Sequence, residues 1–153
     1  MAEPVRLARR VLLAALLATA SLGLVGCGPP PYTQVDNAEL EQLRAQGVPV
    51  YDIRRPEEWR ATGVIEGSRL STWQDGGGRV NPDFMATFGA TADKSQPVVL
   101  ICRTGNRTSQ LARDLMEKHG YTRVYNVEHG IAGWIAERRP VVKPPLRKTR
   151  MAP

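Results

Sequence analysis

The segment Pro97–Thr108, with the sequence PVVLICRTGNRT, decides the fold. Residues 97–101 are apolar without polar alternation, which is typical of a strand covered on both faces of a parallel sheet. From Thr108 to His119 apolar residues recur at helical spacing, with two basic residues in the last turn and a glycine beyond it. Cys102 is therefore predicted to lie where a strand ends and a helix begins.

The segments on either side alternate between strand and helix patterns. Asp36 and Glu39 have the spacing of a capping box, which opens a helix that Gly47 closes. Strands alternating with helices indicate an α/β domain with a parallel sheet, whose ligands bind beyond the carboxyl ends of the strands. This rule places Cys102 in the candidate site. The other predicted strands span residues 48–53, 69–72 and 122–127, and the other predicted helices span residues 56–60, 81–88 and 130–137.

The loop after Cys102 has the composition of an anion-binding turn. About six residues separate strand from helix, and Gly105 and Asn106 are the ones that best tolerate a positive φ. Such a turn can direct successive backbone N–H groups inward at a helix N-terminus. Those groups, the helix dipole, Arg103 and Arg107 would favour the thiolate form of Cys102. The loop therefore predicts a nucleophilic cysteine in a site for an anionic substrate.

Four motifs in the same order resemble the rhodanese family in its single-domain form. Residues 102–108 fit the active loop Cys-Arg-x-Gly-x-Arg-(Ser/Thr), and residues 52–59 resemble the segment Asp-Val-Arg-x-x-x-Glu-(Tyr/Trp). Residues 63–68 resemble a Gly-His-Ile-x-Gly-Ala turn, and residues 127–134 resemble a closing Gly-Gly-Ile-x-x-Trp segment. The chain departs from these patterns at Val64 and at His129, which stand where the family has histidine and glycine.

The resemblance implies a small parallel-sheet domain with helices on both faces and sulfurtransferase activity. Cys102 would attack the outer sulfur of an anionic donor such as thiosulfate and pass it, as a persulfide, to cyanide or a thiol. Asp52 and Arg54 would support the loop structurally. No cofactor, no metal and a monomeric state are expected. The residues expected to bind the substrate are Arg103, Thr104, Gly105, Asn106, Arg107 and Thr108.

Two other functions remain open at this point. One is a non-catalytic module of the same fold, which binds a partner or carries sulfane sulfur to it. The other is a cysteine-dependent phosphatase or arsenate reductase, which needs the spacing Cys-x5-Arg around a tetrahedral oxyanion. Arg107 falls one residue short of that spacing and position 108 is threonine, so the loop favours sulfur transfer.

The amino-terminal segment predicts export. Basic residues at positions 6, 9 and 10 precede an apolar stretch over 11–25, as in a secretion signal. The following LVGC resembles the lipobox of bacterial lipoproteins, in which the cysteine, here Cys27, is acylated. We expect a lipoprotein on the periplasmic side of a membrane. Its expected parts are a signal peptide (1–26), a tether (27–35), a rhodanese-like domain (36–138) and a basic, proline-rich tail (139–153).

The net charge of +6 does not indicate nucleic-acid binding, because of where the charges lie. Between Cys27 and Glu137 the chain has 12 basic and 14 acidic residues, so the excess of positive charge belongs to the two ends. If Cys27 is acylated, Cys102 is the only thiol of the chain.

Overall fold

Strands and helices alternate along residues 28–144, the part of the chain that the computed structural model describes. The expected signal peptide, Cys27 and residues 145–153 of the expected tail lie outside the described residues. The elements are β1 (Thr33–Val35), α1 (Asn37–Ala45), β2 (Val50–Asp52), α2 (Pro56–Thr62), β3 (Arg69–Leu70), α3 (Phe84–Gly89), β4 (Val98–Ile101), α4 (Asn106–His119), β5 (Val124–Val127) and α5 (Gly130–Ala136).

The strands form one parallel sheet in the order β1-β5-β4-β2-β3. All four residues of β4 are buried, as a central strand requires. Leu100 in β4 is in register with Tyr51 of β2 on one side and with Asn126 of β5 on the other. The prediction of an α/β fold with a parallel sheet is confirmed. In this fold the carboxyl ends of β2, β4 and β5 lie at one edge of the sheet.

Helices cover both faces of the sheet, as predicted. On one face, α3 and α4 pack against β2 and β4, and on the other face α1 and α5 pack against β4 and β5. The first core contains Tyr51, Phe84, Phe88, Leu100, Cys102, Leu111 and Leu115, and the second contains Leu40, Val99, Ile101, Val127, Ile131 and Trp134.

The expected tether is shorter than the sequence suggested, because its last three residues form β1. Thr33–Val35 pairs in parallel with Tyr125–Val127 of β5, and Gln34 accepts a hydrogen bond of 2.6 Å from the side-chain amide of Asn126. Val35 alone is buried in this edge strand. A strand of three residues with one buried side chain has no periodicity that a sequence pattern can show.

The start of the expected tail also packs on the domain. The backbone of Val142 pairs with that of Val64, and the Trp134 indole donates a 2.9 Å hydrogen bond to the Pro140 carbonyl. Arg139 lies over the Trp134 ring and forms an ion pair with Glu41. The domain therefore extends to at least residue 142. No helix in residues 28–144 has the length and apolar character needed to span a bilayer.

Candidate active site

Cys102 lies directly after β4, with two hydrogen-bond donors close to its sulfur. The residue is only 1% exposed. The backbone N–H of Gly105 donates to Sγ over 3.2 Å, and the hydroxyl of Thr108 lies 3.4 Å from the same atom. The Thr108 hydroxyl is also 3.0 Å from the carbonyl oxygen of Gly105, so its single proton serves one acceptor at a time. A negatively charged sulfur would draw that proton towards itself.

The turn that brings these donors to the sulfur depends on Gly105 and on close packing against α5. Gly105 precedes α4 with φ +88°, and a Cβ atom there would overlap the carbonyl oxygen of Glu128. The first turn of α5 holds the loop from the other side. The N–H of Ile131 donates to the Cys102 carbonyl over 2.9 Å, and that of Ala132 donates to the Arg103 carbonyl over 3.0 Å. The loop is therefore fixed at both ends.

The side chain of Arg107 is held by a carboxylate that the sequence analysis did not select as a site residue. Arg107 Nη1 and Nη2 donate to the two carboxylate oxygens of Glu58 on α2, over 2.9 and 2.7 Å. Both side chains are largely buried, with 22% and 16% exposed. Glu58 was part of the motif at residues 52–59, but only the fold shows that it faces the loop.

The pKa values of this pair are shifted in the directions that favour both charges. Burial alone would raise the pKa of Glu58, but the hydrogen bond from Arg107, the Arg55 backbone N–H and both positive charges hold it below its usual value. Burial alone would lower the pKa of Arg107, but Glu58 and the neighbouring Cys102 sulfur raise it. Arg107 therefore stays positively charged beside the Glu58 carboxylate.

Asp52 and Arg54 form a second ion pair, fully buried at the end of β2. Arg54 Nη2 lies 2.6 Å from Asp52 Oδ2, and Arg54 Nε lies 2.9 Å from Oδ1. The Trp59 indole donates to the same Asp52 oxygen over 3.0 Å, while Arg54 also donates to the Thr62 hydroxyl and the Gly63 carbonyl at the end of α2. This pair fastens α2, which carries Glu58, to the sheet. Its importance for activity stays a prediction.

The remaining residues predicted to bind the substrate lie on the rim of the loop. Arg103, Thr104 and Asn106 are exposed, and the Arg103 guanidinium makes no hydrogen bond or ion pair to any residue within 28–144. Of the backbone N–H groups at 103–107, that of Gly105 donates a hydrogen bond to Cys102 Sγ. The structure therefore brings Gly105 and Thr108 to the Cys102 sulfur and pairs Arg107 with Glu58. The substrate-binding role of all six residues stays a prediction.

Comparisons with known proteins concern the domain as a whole. The family described as Rhodanese-like domain matches residues 36–137. The thiosulfate sulfurtransferase GlpE of Pseudomonas aeruginosa is 32% identical over 103 residues, which cover 67% of this chain and 84% of the relative.

Solved structures show the same fold. Rv0390 from M. tuberculosis matches 74% of this chain and 99% of its own, with a TM-score of 0.61 and 24% identity. A rhodanese-related protein from Thermoplasma volcanium matches 74% of this chain and 100% of its own, with a TM-score of 0.55 and 26% identity.

Proposed function

The chain belongs to the rhodanese-like domain family, and we propose on that basis that it is a sulfurtransferase that carries sulfane sulfur on Cys102. The observation that carries this proposal is the sulfur of Cys102 at the end of β4, with the Gly105 N–H at 3.2 Å and the Thr108 hydroxyl at 3.4 Å. The 32% identity to a thiosulfate sulfurtransferase supports the same activity.

In the first step, the Cys102 thiolate attacks the outer sulfur of thiosulfate or a similar donor. The new bond joins Sγ to that sulfur, the sulfur–sulfur bond of the donor breaks, and sulfite leaves with the bonding electron pair. Charge is conserved, because a thiolate and a dianion give a persulfide anion and the sulfite dianion. No general base is required when the thiol is already ionised.

In the second step, cyanide or a thiolate attacks the terminal sulfur of the persulfide. The bond between the two sulfurs breaks, thiocyanate or an acceptor persulfide leaves, and the Cys102 thiolate is restored. The Gly105 N–H and the Thr108 hydroxyl lie within hydrogen-bond distance of Cys102 Sγ, where they can donate to the thiolate. They therefore favour the state of Cys102 that attacks in the first step and leaves in the second.

The experiment that tests this proposal separates sulfur loading from turnover. The full chain, purified in detergent, is incubated with thiosulfate, and intact mass is compared with that of Cys102→Ser. We expect the wild type to gain the mass of one sulfur atom, which cyanide removes as thiocyanate. Absence of the adduct, or its persistence in Cys102→Ser, would overturn the proposal. An adduct that no acceptor discharges would support a sulfur carrier and reject the enzyme.

We also propose that the domain is exported and anchored through an acylated Cys27, with the site on the periplasmic side. The support is the signal-like segment 1–26 and the lipobox-like LVGC, both at the sequence level. Cys27→Ala should move the protein from the membrane fraction to the soluble fraction. Unchanged fractionation would contradict the anchor without affecting the proposed chemistry.

A further inference from the structure

A groove of about 740 Å³ runs along the sheet edge at β3, between α2 and α3. By their spacing, the α2 residues that line it share one face of the helix, whereas Glu58 faces the Cys102 loop through its contact with Arg107. This β3 groove is therefore separate from the candidate active site. Its apolar lining consists of Pro56, Trp59, Leu70, Phe84 and Pro144.

The edge of the sheet in this groove is open. Among the described residues β3 is the last strand in the sheet order and pairs only with β2. The N–H groups of Ser71 and Trp73 donate to the carbonyls of Asp52 and Ile53. The N–H and C=O of Leu70 alternate with the groups that pair with β2, so they face away from it, and neither has a hydrogen-bond partner within residues 28–144. Free groups of this kind bind a further extended segment.

The carboxy-terminal segment of the described chain leads to this groove. Val142 and Val64 exchange two backbone hydrogen bonds of 2.9 Å, which form an antiparallel bridge just beyond α2. The close approach requires a glycine at position 63, since a Cβ atom on Gly63 would lie 2.9 Å from the Val142 carbonyl oxygen. Two residues after the bridge, Pro144 is part of the groove lining.

The residues that follow Pro144 are long enough to fill the apolar part of the groove. An extended chain advances at most about 3.6 Å per residue, so Leu146 lies within about 7 Å of Pro144. The face of α2 from Arg60 to Pro56, which borders the groove, is about 6 Å long. Prolines at 144 and 145 disfavour a helix, and the basic residues at 147, 148 and 150 come after the leucine, where they can stay in solvent.

Covalent attachment favours this segment over a free partner. A segment joined to the groove by a short connection is present at an effective concentration in the millimolar range, so a weak interaction is enough to hold it there. A separate peptide or a second copy has to bind far more tightly to occupy the same surface at ordinary concentrations.

We propose that the β3 groove binds residues 145–148 of the same chain, with the Leu146 side chain against Trp59 and Phe84 and its backbone paired with the free groups of Leu70. The segment covers the open edge of the sheet and packs on α2, the helix that carries Glu58 on another face. This inference does not depend on sulfur transfer, and its test does not measure activity.

The test is amide hydrogen exchange of the full chain in detergent, measured on peptides that cover β3. In Leu146→Asp we expect the amides of residues 69–72 to exchange at least about tenfold faster, because the variant places a charge against an apolar surface and frees the edge of the strand. Met151→Asp adds the same charge beyond the groove and should exchange like the wild type. Peptides that cover β1, the other edge of the sheet, should not change in either variant.

Three results would contradict the inference. One is equal exchange of β3 in the wild type and in Leu146→Asp. Another is the same acceleration in Met151→Asp, which would indicate a general effect of added negative charge. The third comes from a chain that ends at Pro144, in which β3 should exchange rapidly at every protein concentration. Protection that increases with the concentration of this shortened chain would assign the groove to a second copy.

Discussion

Glu58 and Arg107 are joined by two hydrogen bonds of 2.7 and 2.9 Å, although they are 49 positions apart in the chain. The pair connects α2 to the first turn of α4, and hence the helix that follows β2 to the loop that carries Cys102. Arg107 is thus part of the scaffold of the loop that carries Cys102. Four of the predictions below concern this connection and the loop it supports.

Glu58→Gln should weaken both stability and sulfur transfer. The amide keeps the shape but loses the charge. The largely buried Arg107 then has a weaker partner, at a cost of about 1–2 kcal/mol in the free energy of unfolding. Urea denaturation measures the loss. Glu117→Gln removes a similar charge from the exposed pair with Arg113 and should cost under about 0.5 kcal/mol. Equal losses in the two variants would contradict the importance of the Glu58 pair.

The contribution of Glu58 should depend on pH in the acid range. Its pKa is held below the usual 4.5, so the folded protein binds this proton less readily than the unfolded chain does. The stabilisation is therefore fully present above pH 4.5 and is lost as pH falls through the lowered pKa of the folded state. The difference in unfolding free energy between wild type and Glu58→Gln should shrink below pH 4.5. A difference that stays constant there would contradict the shift.

Thr108→Val should slow persulfide formation while leaving the fold intact. Valine has nearly the shape of threonine at this fully buried position, but it removes the hydroxyl that lies 3.4 Å from the Cys102 sulfur. The Gly105 carbonyl also loses this hydroxyl but still accepts hydrogen bonds from the Ser109 N–H and hydroxyl. Loss of one hydrogen bond to a charged sulfur corresponds to about a tenfold lower rate. Stopped-flow measurement of thiosulfate consumption tests this. Thr108→Ser keeps the hydroxyl and should retain most of the rate. A serine variant as slow as the valine variant would indicate that Thr108 acts through its packing and not through its hydroxyl.

Gly105→Ala should disrupt the loop more than an ordinary glycine substitution does. The residue has φ +88°, and a Cβ atom would overlap the Glu128 carbonyl, a backbone group that cannot move without shifting β5 or α5. We expect a loss of about 2 kcal/mol or more and no thiosulfate turnover. Gly78→Ala has a similar φ, +80°, but open space around it, and should show only the backbone strain. Thermal unfolding of both variants makes the comparison.

The parts of this molecule that the sequence predicts are those whose signals are local. The apolar run before Cys102, the helical spacing after it and the capping box at Asp36 each lie within a few residues, and the structure contains all three elements. Strand β1 was missed because three residues at a sheet edge carry no periodicity. Only its partner β5, some ninety positions later, makes it a strand.

The candidate site shows the same division between local and distant relationships. The loop sequence places Gly105 and Thr108 near Cys102, because all three belong to one turn. It also suggests that Arg107 is free to bind an anion, whereas the fold gives that arginine a carboxylate partner from α2. Charge pairing between distant segments depends on the register of the sheet and the packing of helices, which no local pattern records.

Asp52→Ala should be the most destabilising of these substitutions. Asp52 and Arg54 are each about 1% exposed, and the carboxylate also accepts hydrogen bonds from the Trp59 indole and the Arg54 backbone. Removing it leaves a buried guanidinium without its counter-charge, at a cost of about 3–5 kcal/mol.

The partly exposed pair of Asp114 and Lys118 on α4 provides the matched control, since Asp114→Ala should cost under about 1 kcal/mol. Urea denaturation of both variants measures the difference. Because Asp52 and Arg54 fasten the helix that carries Glu58, any Asp52→Ala protein that still folds should also have lost the Glu58 contact to Arg107 and most of its rate of persulfide formation. A folded Asp52→Ala protein with the wild-type rate would show that the pair supports the fold alone.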